Sequence, residues 1–569
     1  MRETPFLALA LLGEMLEKTR KRLELAALIA DFLRGLAPEE MGPGVRLLIG
    51  QIFPEWDSRA LNLSWRAVSK ILQGLTSPSK SDLAAIRAEA VDAGEWARLL
   101  LERATAQPPQ APSLSLLEVY RTFEEIAETA GPGSRRKKEE LLNSLFLRAQ
   151  PVEAKYIVKN VVREMRHGVS EGILLDAIAQ AAQVPKKLAR RANMLCGDLG
   201  EVISIALTEG ECGLKRIKPQ LFRPLKPMLA QTTDDVAQAF QEHKGETALE
   251  YKLDGARVQI HKAGDEVRIY SRNLSEVTPS LPEVVDQVRE EVTADSAILE
   301  GEVIAVDERG RPLPFQHLMR RFRRIHNLRD LMREVPIQLY LFDILYRDGA
   351  SLVDEPNRKR WQALQEVKGN LNSVARLIPR NPQEGEAFAQ ASYEAGHEGL
   401  IAKRLDSVYT PGVRGKAWFK IKQTISLDLV IVAADWGYGR RHGWLSNYHL
   451  AARDKESGEF LEVGKTFKGL TDKEFEEMTA HLLSLEIYRQ EATVYVEPET
   501  VVEVLFNEIQ RSPHYDSGLA LRFARISRLR DDKRPEEADT IQTLWELFRE
   551  QFEHKGRPKQ RNKGGKVII

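Results

Sequence analysis

The sequence has little cysteine and no long apolar segment. Cys196 and Cys212 are its two cysteines in 569 residues, which excludes a disulfide-stapled scaffold and a four-cysteine zinc site. We expect both thiols to be reduced. No apolar run approaches the roughly 20 residues of a membrane span. The apolar start of the chain lies between Glu3 and Glu14 and predicts a helix rather than a signal peptide. We therefore expect a cytoplasmic protein without a membrane partner.

The sequence also lacks net charge, because 83 Lys and Arg residues balance 83 Asp and Glu residues. This balance excludes a uniformly basic nucleic-acid packaging protein, but one basic face can still be offset by acidic faces elsewhere. A content of 43% apolar residues is enough for packed cores and excludes a disordered chain. The length predicts three or four domains.

Changes in sequence pattern divide the chain into three predicted domains. Residues 1–222 show apolar residues at three- and four-residue spacing, interrupted by Pro and Gly, which predicts an all-α domain without an internal repeat. Residues 223–424 mix strand and helix patterns after a proline-containing linker and predict an α+β domain. Residues 425–569 predict a small β-barrel, followed by an amphipathic helix and a basic tail.

The segment EYKLDGARVQ carries the first chemical signal. If it is a strand, Glu250, Lys252 and Asp254 share one face. This pattern fits either a salt-bridged strand facing solvent or a nucleophilic lysine held by acids. A lysine amine attacks only when it is deprotonated, and flanking acids oppose that, so further cations or a metal must lie close.

The sequence contains suitable cations and acids downstream. Lys403 lies in EGLIAKR, while Lys420 and Lys422 share one face of a predicted strand in WFKIK. Their like charges indicate a bound phosphate between them, unless this is a solvated edge strand. Glu300 and Glu302 in LEGE, and Glu398 before Gly399, would repel that phosphate unless they hold a divalent cation, which implies Mg²⁺. Mn²⁺ is the alternative ion.

Six segments in order carry a family resemblance: KLDGAR, SRN (Ser271–Asn273), LEGE (Leu299–Glu302), YLFDILY (Tyr340–Tyr346), EGLIAKR and WFKIK. This succession resembles the nucleotidyltransferases, which comprise polynucleotide ligases and mRNA capping enzymes. The flanking regions resemble ATP-dependent DNA ligases of the archaeal and eukaryotic type, which have a helical DNA-binding domain and an oligonucleotide-binding (OB) barrel. The likeness covers nearly the whole chain. One departure is Ala524 in LRFAR, where the family usually has proline.

The resemblance implies ATP as the cofactor and Lys252 as the residue that becomes adenylylated. It assigns nucleotide binding to a set of residues beside this lysine: Glu250, Arg257, Arg272, Glu302, Phe342, Arg414, Lys420 and Lys422. It assigns the metal to Glu302 and Glu398, with Asp254 and Lys403 as further site residues. Asp532 and Lys533 in RLRDDK are expected to orient the pyrophosphate leaving group, after the barrel swings toward the site.

The resemblance also implies nicked duplex DNA as the partner and a monomeric enzyme serving replication, repair or recombination. Basic residues of the helical domain are expected to contact phosphates: Arg136, Lys137, Arg163 and Arg166. The segment IQTLWELFREQF only loosely resembles a sliding-clamp peptide, and an ordinary docking helix is the preferred interpretation. The alternatives are an RNA ligase or GTP-using capping enzyme, which usually lack the helical domain, and a DNA-binding protein without catalysis.

Overall fold

The computed structural model of the protein describes residues 3–104, 113–233, 235–322, 328–410, 412, 414–422, 425–437, 441–551 and 555. The basic tail predicted beyond residue 555 lies outside these residues. Helices alone occupy the first part of the described chain, a mixture of helices and strands the middle, and mainly strands the last part. This three-part order confirms the predicted fold class.

The helical region contains twelve helices among the described residues: α1 (Phe6–Glu17), α2 (Arg22–Arg34), α3 (Pro38–Leu48), α4 (Trp65–Thr76), α5 (Lys80–Glu89), α6 (Ala93–Ala104), α7 (Leu116–Glu128), α8 (Ser134–Phe146), α9 (Pro151–Val162), α10 (Glu171–Ala181), α11 (Lys186–Cys196) and α12 (Leu199–Arg216). Serine side chains cap several N-termini by accepting a backbone N–H, as at Ser64, Ser115 and Ser170. Each such cap contributes about 1 kcal/mol of helix stability.

The helical region is built from two similar halves, α1–α6 and α7–α12, whose packing is reciprocal. Each helix of the first half has a counterpart six helices later, and their contacts correspond. The contact of α1 with α9 matches that of α7 with α3, and the contact of α2 with α10 matches that of α8 with α4. The contact of α3 with α12 matches that of α9 with α6. The N–H of Phe6 donates to Leu114 O, and the N–H of Leu116 donates to Thr4 O, both at 2.9 Å. The correspondence lies in helix order and packing, which many different apolar residues can satisfy, so it need not produce a repeat in the sequence.

The central region contains seventeen α-helices and β-strands among the described residues: β1 (Leu229–Thr233), α13 (Val236–Glu242), β2 (Thr247–Tyr251), β3 (Ala256–Ala263), β4 (Glu266–Ser271), α14 (Pro282–Glu291), β5 (Ser296–Ala305), α15 (Phe315–Arg321), α16 (Leu328–Glu334), β6 (Ile337–Arg347), β7 (Ala350–Ser351), α17 (Asn357–Val367), β8 (Asn372–Ser373), β9 (Arg376–Leu377), α18 (Pro382–Glu394), β10 (Gly399–Arg404) and β11 (Arg414–Lys422). One sheet has the order β1-β11-β10-β2-β9. The other has the order β4-β3-β5-β6-β7, with β8 beside β6.

Helices α14 and α17 pack on the second sheet through one apolar cluster that includes Val284, Val288, Leu364 and Val367. The other face of this sheet supplies Arg257, Glu302 and Phe342 to a cavity that the first sheet also lines. The site therefore lies between the two sheets, on the face that α14 and α17 do not cover.

The last region contains the strands β12 (Ile425–Trp436), β13 (Leu445–Arg453), β14 (Phe460–Thr466), β15 (Glu486–Gln490), β16 (Thr493–Val496), β17 (Val501–Phe506), β18 (Glu508–Arg511), β19 (Leu519–Arg522) and β20 (Arg525–Leu529), with the helices α19 (Asp472–Ser484) and α20 (Ile541–Glu550). The long strand β12 pairs with β13 on one side and with β16 and β17 on the other. Helix α20 buries Ile541 and Leu544 in the core of this region, as the docking-helix interpretation predicts.

The linker between the first two regions is fixed by polar contacts. The side-chain amide of Gln259 accepts from Leu225 N (2.7 Å) and donates to Leu225 O (3.2 Å). Lys226 forms ion pairs with Glu55 (3.0 Å) and with Glu171, which lie in opposite halves of the helical region. The linker lysine thus joins both halves to the central region.

Across the described residues, no helix combines the length and the apolar character that crossing a membrane requires.

Candidate active site

Lys252 lies just beyond the end of β2 and not within a strand. Its N–H donates to Gly399 O (2.8 Å), and its carbonyl accepts from Glu398 N (2.9 Å). The prediction that Glu250, Lys252 and Asp254 share one strand face is therefore wrong in detail, because the strand ends at Tyr251. All three side chains nevertheless line the same cavity of about 1400 Å³.

Gly255 allows the chain to approach the second sheet closely after Lys252. A Cβ at this position would overlap the backbone carbonyl of Val303 on β5. The turn after Lys252 therefore packs directly against the neighbouring sheet, at a distance that only glycine allows.

Glu398 bridges the two lysines nearest the centre of the site. Its carboxylate forms ion pairs with Lys252 and with Lys422, the latter at 2.9 Å. Burial raises the pKa of Glu398, but the two lysines outweigh it and bring the pKa down to about 2. Burial lowers the pKa of Lys252, and the charges of Glu398 and other carboxylates outweigh this effect, so the pKa of the lysine is raised. Lys252 is therefore an ammonium group in this arrangement.

Glu302 has the opposite electrostatic character. Burial raises the pKa of its carboxyl to about 7, although Lys252 and Arg257 act to lower it, and Glu398 adds to the increase. The two carboxyls that face Lys252 thus differ in charge near neutral pH. Oxygen donors of this kind suit Mg²⁺, which keeps several waters and takes phosphate oxygens. Since no group of three or more potential metal ligands occurs among the described residues, an ion here would need such outside ligands.

A second set of ion pairs, formed by buried side chains, lies beside Lys252. Glu250 is paired with Arg376 (2.6 Å) and with Lys403 (2.6 Å). Lys403 also donates to Phe342 O (3.1 Å) and lies 4.6 Å from the centre of the Phe342 ring. Arg376 was missed by sequence reasoning, because β9 has two residues and no recognisable motif.

Arg257 is held at the opposite wall. It donates to Met228 O (2.7 Å), Glu300 (2.7 Å) and the Tyr409 hydroxyl (3.2 Å). Its buried Nε has no hydrogen-bond partner among the described residues. Glu300 and Glu302 lie on one face of β5, because its pairing with β3 stays in register from Gln259–Glu300 to Arg257–Glu302. Glu300 is paired with Arg257, whereas Glu302 lines the cavity.

Aromatic rings form the apolar wall of the cavity. Phe342 is 9% exposed and lines the cavity, and its ring centre lies 6.5 Å from that of Trp418 in an edge-on arrangement. Its position on this wall allows it to contact a planar base. The buried Nε1 of Trp418 also has no hydrogen-bond partner among the described residues.

Two of the remaining cations predicted to bind the nucleotide line the cavity. Arg272 is exposed and lines the cavity, as does the half-buried Lys420. The side chain of Arg414 lies outside the part of the chain that the structure describes.

The C-terminal region closes the cavity with residues that sequence reasoning did not assign. Phe523 is 59% exposed and lines the cavity together with Arg522. Lys555, beyond α20, forms an ion pair with Asp254 (2.8 Å). In the sequence these residues belong to the LRFAR segment and to the basic tail, but neither feature indicates which part of the site the residues contact.

Asp532 and Lys533 do not line this cavity. Lys533 is paired with Asp428 (2.6 Å), and Asp532 is paired with Arg530 (2.7 Å). Both contacts lie within the C-terminal region itself. In this arrangement the structure does not bring the two residues to Lys252.

The basic residues predicted to bind DNA lie on the helical region, outside the cavity lining. Arg135 is paired with Glu139 (2.9 Å), Arg136 with Glu140 (2.8 Å) and Lys137 with Glu125 (3.1 Å), a set of local ion pairs. Arg163 and Arg166 have positive φ values of 58° and 54° around the turn that precedes α10.

A cavity that places a lysine among acids, aromatic rings and further cations suits transfer of a nucleotidyl group to that lysine, the chemistry of a nucleotidyltransferase. Comparisons with known proteins identify the family. The family model for the ATP dependent DNA ligase domain matches residues 227–422. The models for the DNA ligase N terminus and for the ATP dependent DNA ligase C terminal region match residues 5–179 and 441–533, respectively. The chain belongs to the ATP-dependent DNA ligase family, which confirms the resemblance seen in the sequence.

Curated relatives match over nearly the full length. The chain is 48% identical to DNA ligase 1 of Korarchaeum cryptofilum over 551 residues, which cover 96% of this chain and 98% of the relative. It is 44% identical to a DNA ligase of Thermococcus fumicolans, with 95% of this chain and 97% of the relative covered. A solved structure named Pmar-Lig_Pre has the same fold, with a TM-score of 0.54 at 17% identity over 92% of this chain and 99% of that one.

Proposed function

We propose that this ATP-dependent DNA ligase seals nicks in duplex DNA and that Lys252 carries the AMP. The lysine nitrogen attacks the α-phosphorus of ATP, a nitrogen–phosphorus bond forms, and pyrophosphate leaves with the broken oxygen–phosphorus bond. AMP then passes to the 5′-phosphate at the nick, and the 3′-hydroxyl displaces it. The observation that carries the assignment is the placement of Lys252 in the cavity, within ion-pair distance of Glu398.

Deprotonation of Lys252 is the electrostatic problem that this site must solve. The ion pair with Glu398 favours the ammonium form, which has no lone pair for attack. Lys252 must therefore pass its proton to solvent or to an oxygen of the bound nucleotide, while neighbouring cations balance the negative charge of Glu398. Lys422 shares the same carboxylate and supports this exchange, because it keeps Glu398 ionised when Lys252 loses its proton.

The other residues position the nucleotide and neutralise its charge. Phe342 stacks on the adenine, and Glu250 contacts its amine edge or the backbone beside it. Ribose and phosphate oxygens are bound by cavity-lining groups and by the neighbouring strand: Arg257, Arg272, Glu302, Arg414, Lys420 and Lys422. Asp254 and Lys403 complete the site.

Mg²⁺, with Mn²⁺ as the alternative, would be held by Glu302 and Glu398 and would supply positive charge to the leaving pyrophosphate. The donor set fits, since two carboxylates leave room for water and phosphate oxygens. Ionisation of Glu302, whose pKa is about 7, is the step that this chain must complete to bind the ion.

Three domains of the protein carry out these steps: residues 1–222, 223–424 and 425–569. Nicked DNA is held without base specificity through a set of phosphate contacts on the helical domain: Arg136, Lys137, Arg163 and Arg166. Asp532 and Lys533 orient pyrophosphate after the C-terminal domain has turned. The enzyme acts as a monomer in the cytoplasm, in replication, repair or recombination, and a sliding clamp is a further candidate partner.

Incubation with α-³²P-labelled ATP and Mg²⁺, followed by a denaturing gel, tests the proposal. Wild type should retain label, and Lys252→Ala should not. Lys416→Ala is the matched control, because Lys416 is an exposed lysine of β11 paired with Glu242 (2.9 Å) and should retain label. Pyrophosphate treatment before labelling removes any AMP already bound. Label on Lys252→Ala would contradict the assignment of the nucleophile, and absence of label on pretreated wild type would contradict the proposed chemistry.

A further inference from the structure

Glu250 brings a buried negative charge to the wall of the cavity. It is 2% exposed and lines the cavity. One of its carboxylate oxygens accepts from the guanidinium group of Arg376, and the other is paired with Lys403, each at 2.6 Å. Two cations around one carboxylate favour its ionised form, which has only acceptor sites for hydrogen bonds. Since a carboxylate has about four such sites, the two ion pairs leave acceptor capacity for a ligand.

Arg376 is itself held in place on several sides. It lies directly opposite Glu250 where β9 pairs with β2. Its second terminal nitrogen donates to Asn357 Oδ1 (2.8 Å), and its guanidinium carbon lies 4.4 Å from the centre of the Trp361 ring. Both of these neighbours belong to α17. The planar guanidinium group therefore has little freedom to turn, and it fixes the orientation of Glu250.

Lys403 connects Glu250 to the aromatic wall of the cavity. Its ammonium group donates to Phe342 O (3.1 Å) and lies 4.6 Å and 4.5 Å from the ring centres of Phe342 and Trp418, respectively. The same ammonium group is paired with Glu250. The carboxylate and the proposed stacking ring are therefore neighbours, so a base stacked on Phe342 lies within reach of Glu250.

The chemistry of the purine edge decides which base suits a fixed acceptor at this place. Adenine carries an amino group at C6, which donates a hydrogen bond, whereas guanine and hypoxanthine carry an oxygen there, which accepts one. An acceptor that faces another acceptor leaves both groups without water and without a partner. Sites built to bind one hydrogen-bonding group reject analogues that lack it far more strongly than apolar pockets do.

We propose that Arg376 determines the base selectivity of this enzyme: together with Lys403, it keeps Glu250 an oriented hydrogen-bond acceptor that takes 6-amino purine nucleotides and rejects 6-oxo ones. Arg376 does not line the cavity and acts through Glu250, as a positioning residue. This inference rests on the proposed lysyl–nucleotide chemistry. Without Arg376 the carboxylate keeps one cation, so it can turn or take up a proton, and a protonated carboxyl can donate to a 6-oxo group.

Labelling of the protein with α-³²P-labelled ATP and with its inosine counterpart, ITP, tests the proposal. Each preparation is treated with pyrophosphate and then labelled with both nucleotides, so the ratio of the two second-order rate constants does not depend on the folded fraction. Arg376→Met keeps a long side chain without its charge and should lower the ATP/ITP ratio at least ~10-fold, the effect of one hydrogen-bond partner lost in a buried site. Arg376→Lys restores a cation and should recover most of the ratio. Arg380→Met, which removes an exposed arginine paired with Glu384 (3.1 Å), is the matched control and should keep the wild-type ratio.

Wild type gives a second readout, which does not depend on how well a variant folds. Purine riboside triphosphate has only hydrogen at C6, so it should label the protein faster than ITP and more slowly than ATP. ITP labelling as fast as that of purine riboside triphosphate, or an unchanged ATP/ITP ratio in Arg376→Met, would overturn the inference. Failure of pretreated wild type to form a labelled adduct with ATP would instead refute the proposed function.

Discussion

Replacing Glu302 with glutamine should stabilise the nucleotide-free and metal-free protein at alkaline pH and leave it nearly unchanged at acidic pH. The reason is that burial raises the pKa of this carboxyl from 4.5 to about 7, so the fold resists its ionisation. Glutamine has almost the same shape and no charge to desolvate. The change therefore removes an electrostatic cost without opening a cavity.

The magnitude follows from the size of the pKa change. A rise from 4.5 to about 7 is about 2.5 pH units, and each unit corresponds to about 1.36 kcal/mol, so the cost of ionisation is about 3 kcal/mol. The unfolded chain loses this proton near its ordinary pKa, whereas the folded chain keeps it until about pH 7. The wild-type free energy of unfolding therefore falls as pH rises through this interval and stays low above it.

Thermal unfolding of wild type and Glu302→Gln in a chelator, at about pH 4 and about pH 8, measures this difference. One kcal/mol shifts the midpoint of a domain of 150–250 residues by roughly 2–4 °C. The variant should thus melt about 6–12 °C higher than wild type at the higher pH, with little difference at the lower pH. Glu290→Gln, an exposed carboxyl of α14, is the control and should follow wild type at both.

Identical pH dependence in wild type and Glu302→Gln would refute the reasoning. It would show that Lys252 and Arg257, which favour the ionised form, compensate fully for burial. A variant that is less stable than wild type at the higher pH would show that they more than compensate.

Three further changes test the rest of the site. Arg376→Met leaves the buried Glu250 with one cation instead of two and should lower the free energy of unfolding by roughly 3–5 kcal/mol in denaturant melts; unchanged stability would contradict the tight pairing. Lys555→Ala removes the ion pair to Asp254 and should increase the radius of gyration in X-ray scattering, whereas an unchanged radius would show that other contacts hold the domains. Gly255→Ala forces the turn away from β5 and should abolish labelling by ATP; normal labelling would mean that the sheets can separate there.

The centre of the site was predictable because catalytic chemistry restricts residue types at short spacing. The segments around Lys252, Glu302, Glu398 and Lys422 each carry an unusual charge on a strand or at its end, and their order along the chain identifies the family. The sheets then bring them together around one cavity. The sequence therefore predicts that these residues lie together in one cavity, and their roles stay predictions.

Partners that depend on pairing between distant segments could not be predicted in this way. Arg376 reaches Glu250 from a strand of two residues, which has no pattern of its own. The same limit applies to the basic run Arg135–Lys137. Its charge is evident in the sequence, but its neutralisation by carboxylates one helical turn away or on α7 depends on side-chain directions.

The arrangement of the C-terminal domain includes one ion pair within that domain and one that crosses to the central domain. The ion pair between Lys533 and Asp428 lies within that domain and survives any rotation of it as a rigid body. The ion pair between Lys555 and Asp254 crosses the domain boundary, so rotation must break it. Any rotation that carries Lys533 toward Lys252 therefore keeps its pair with Asp428 and separates Lys555 from Asp254.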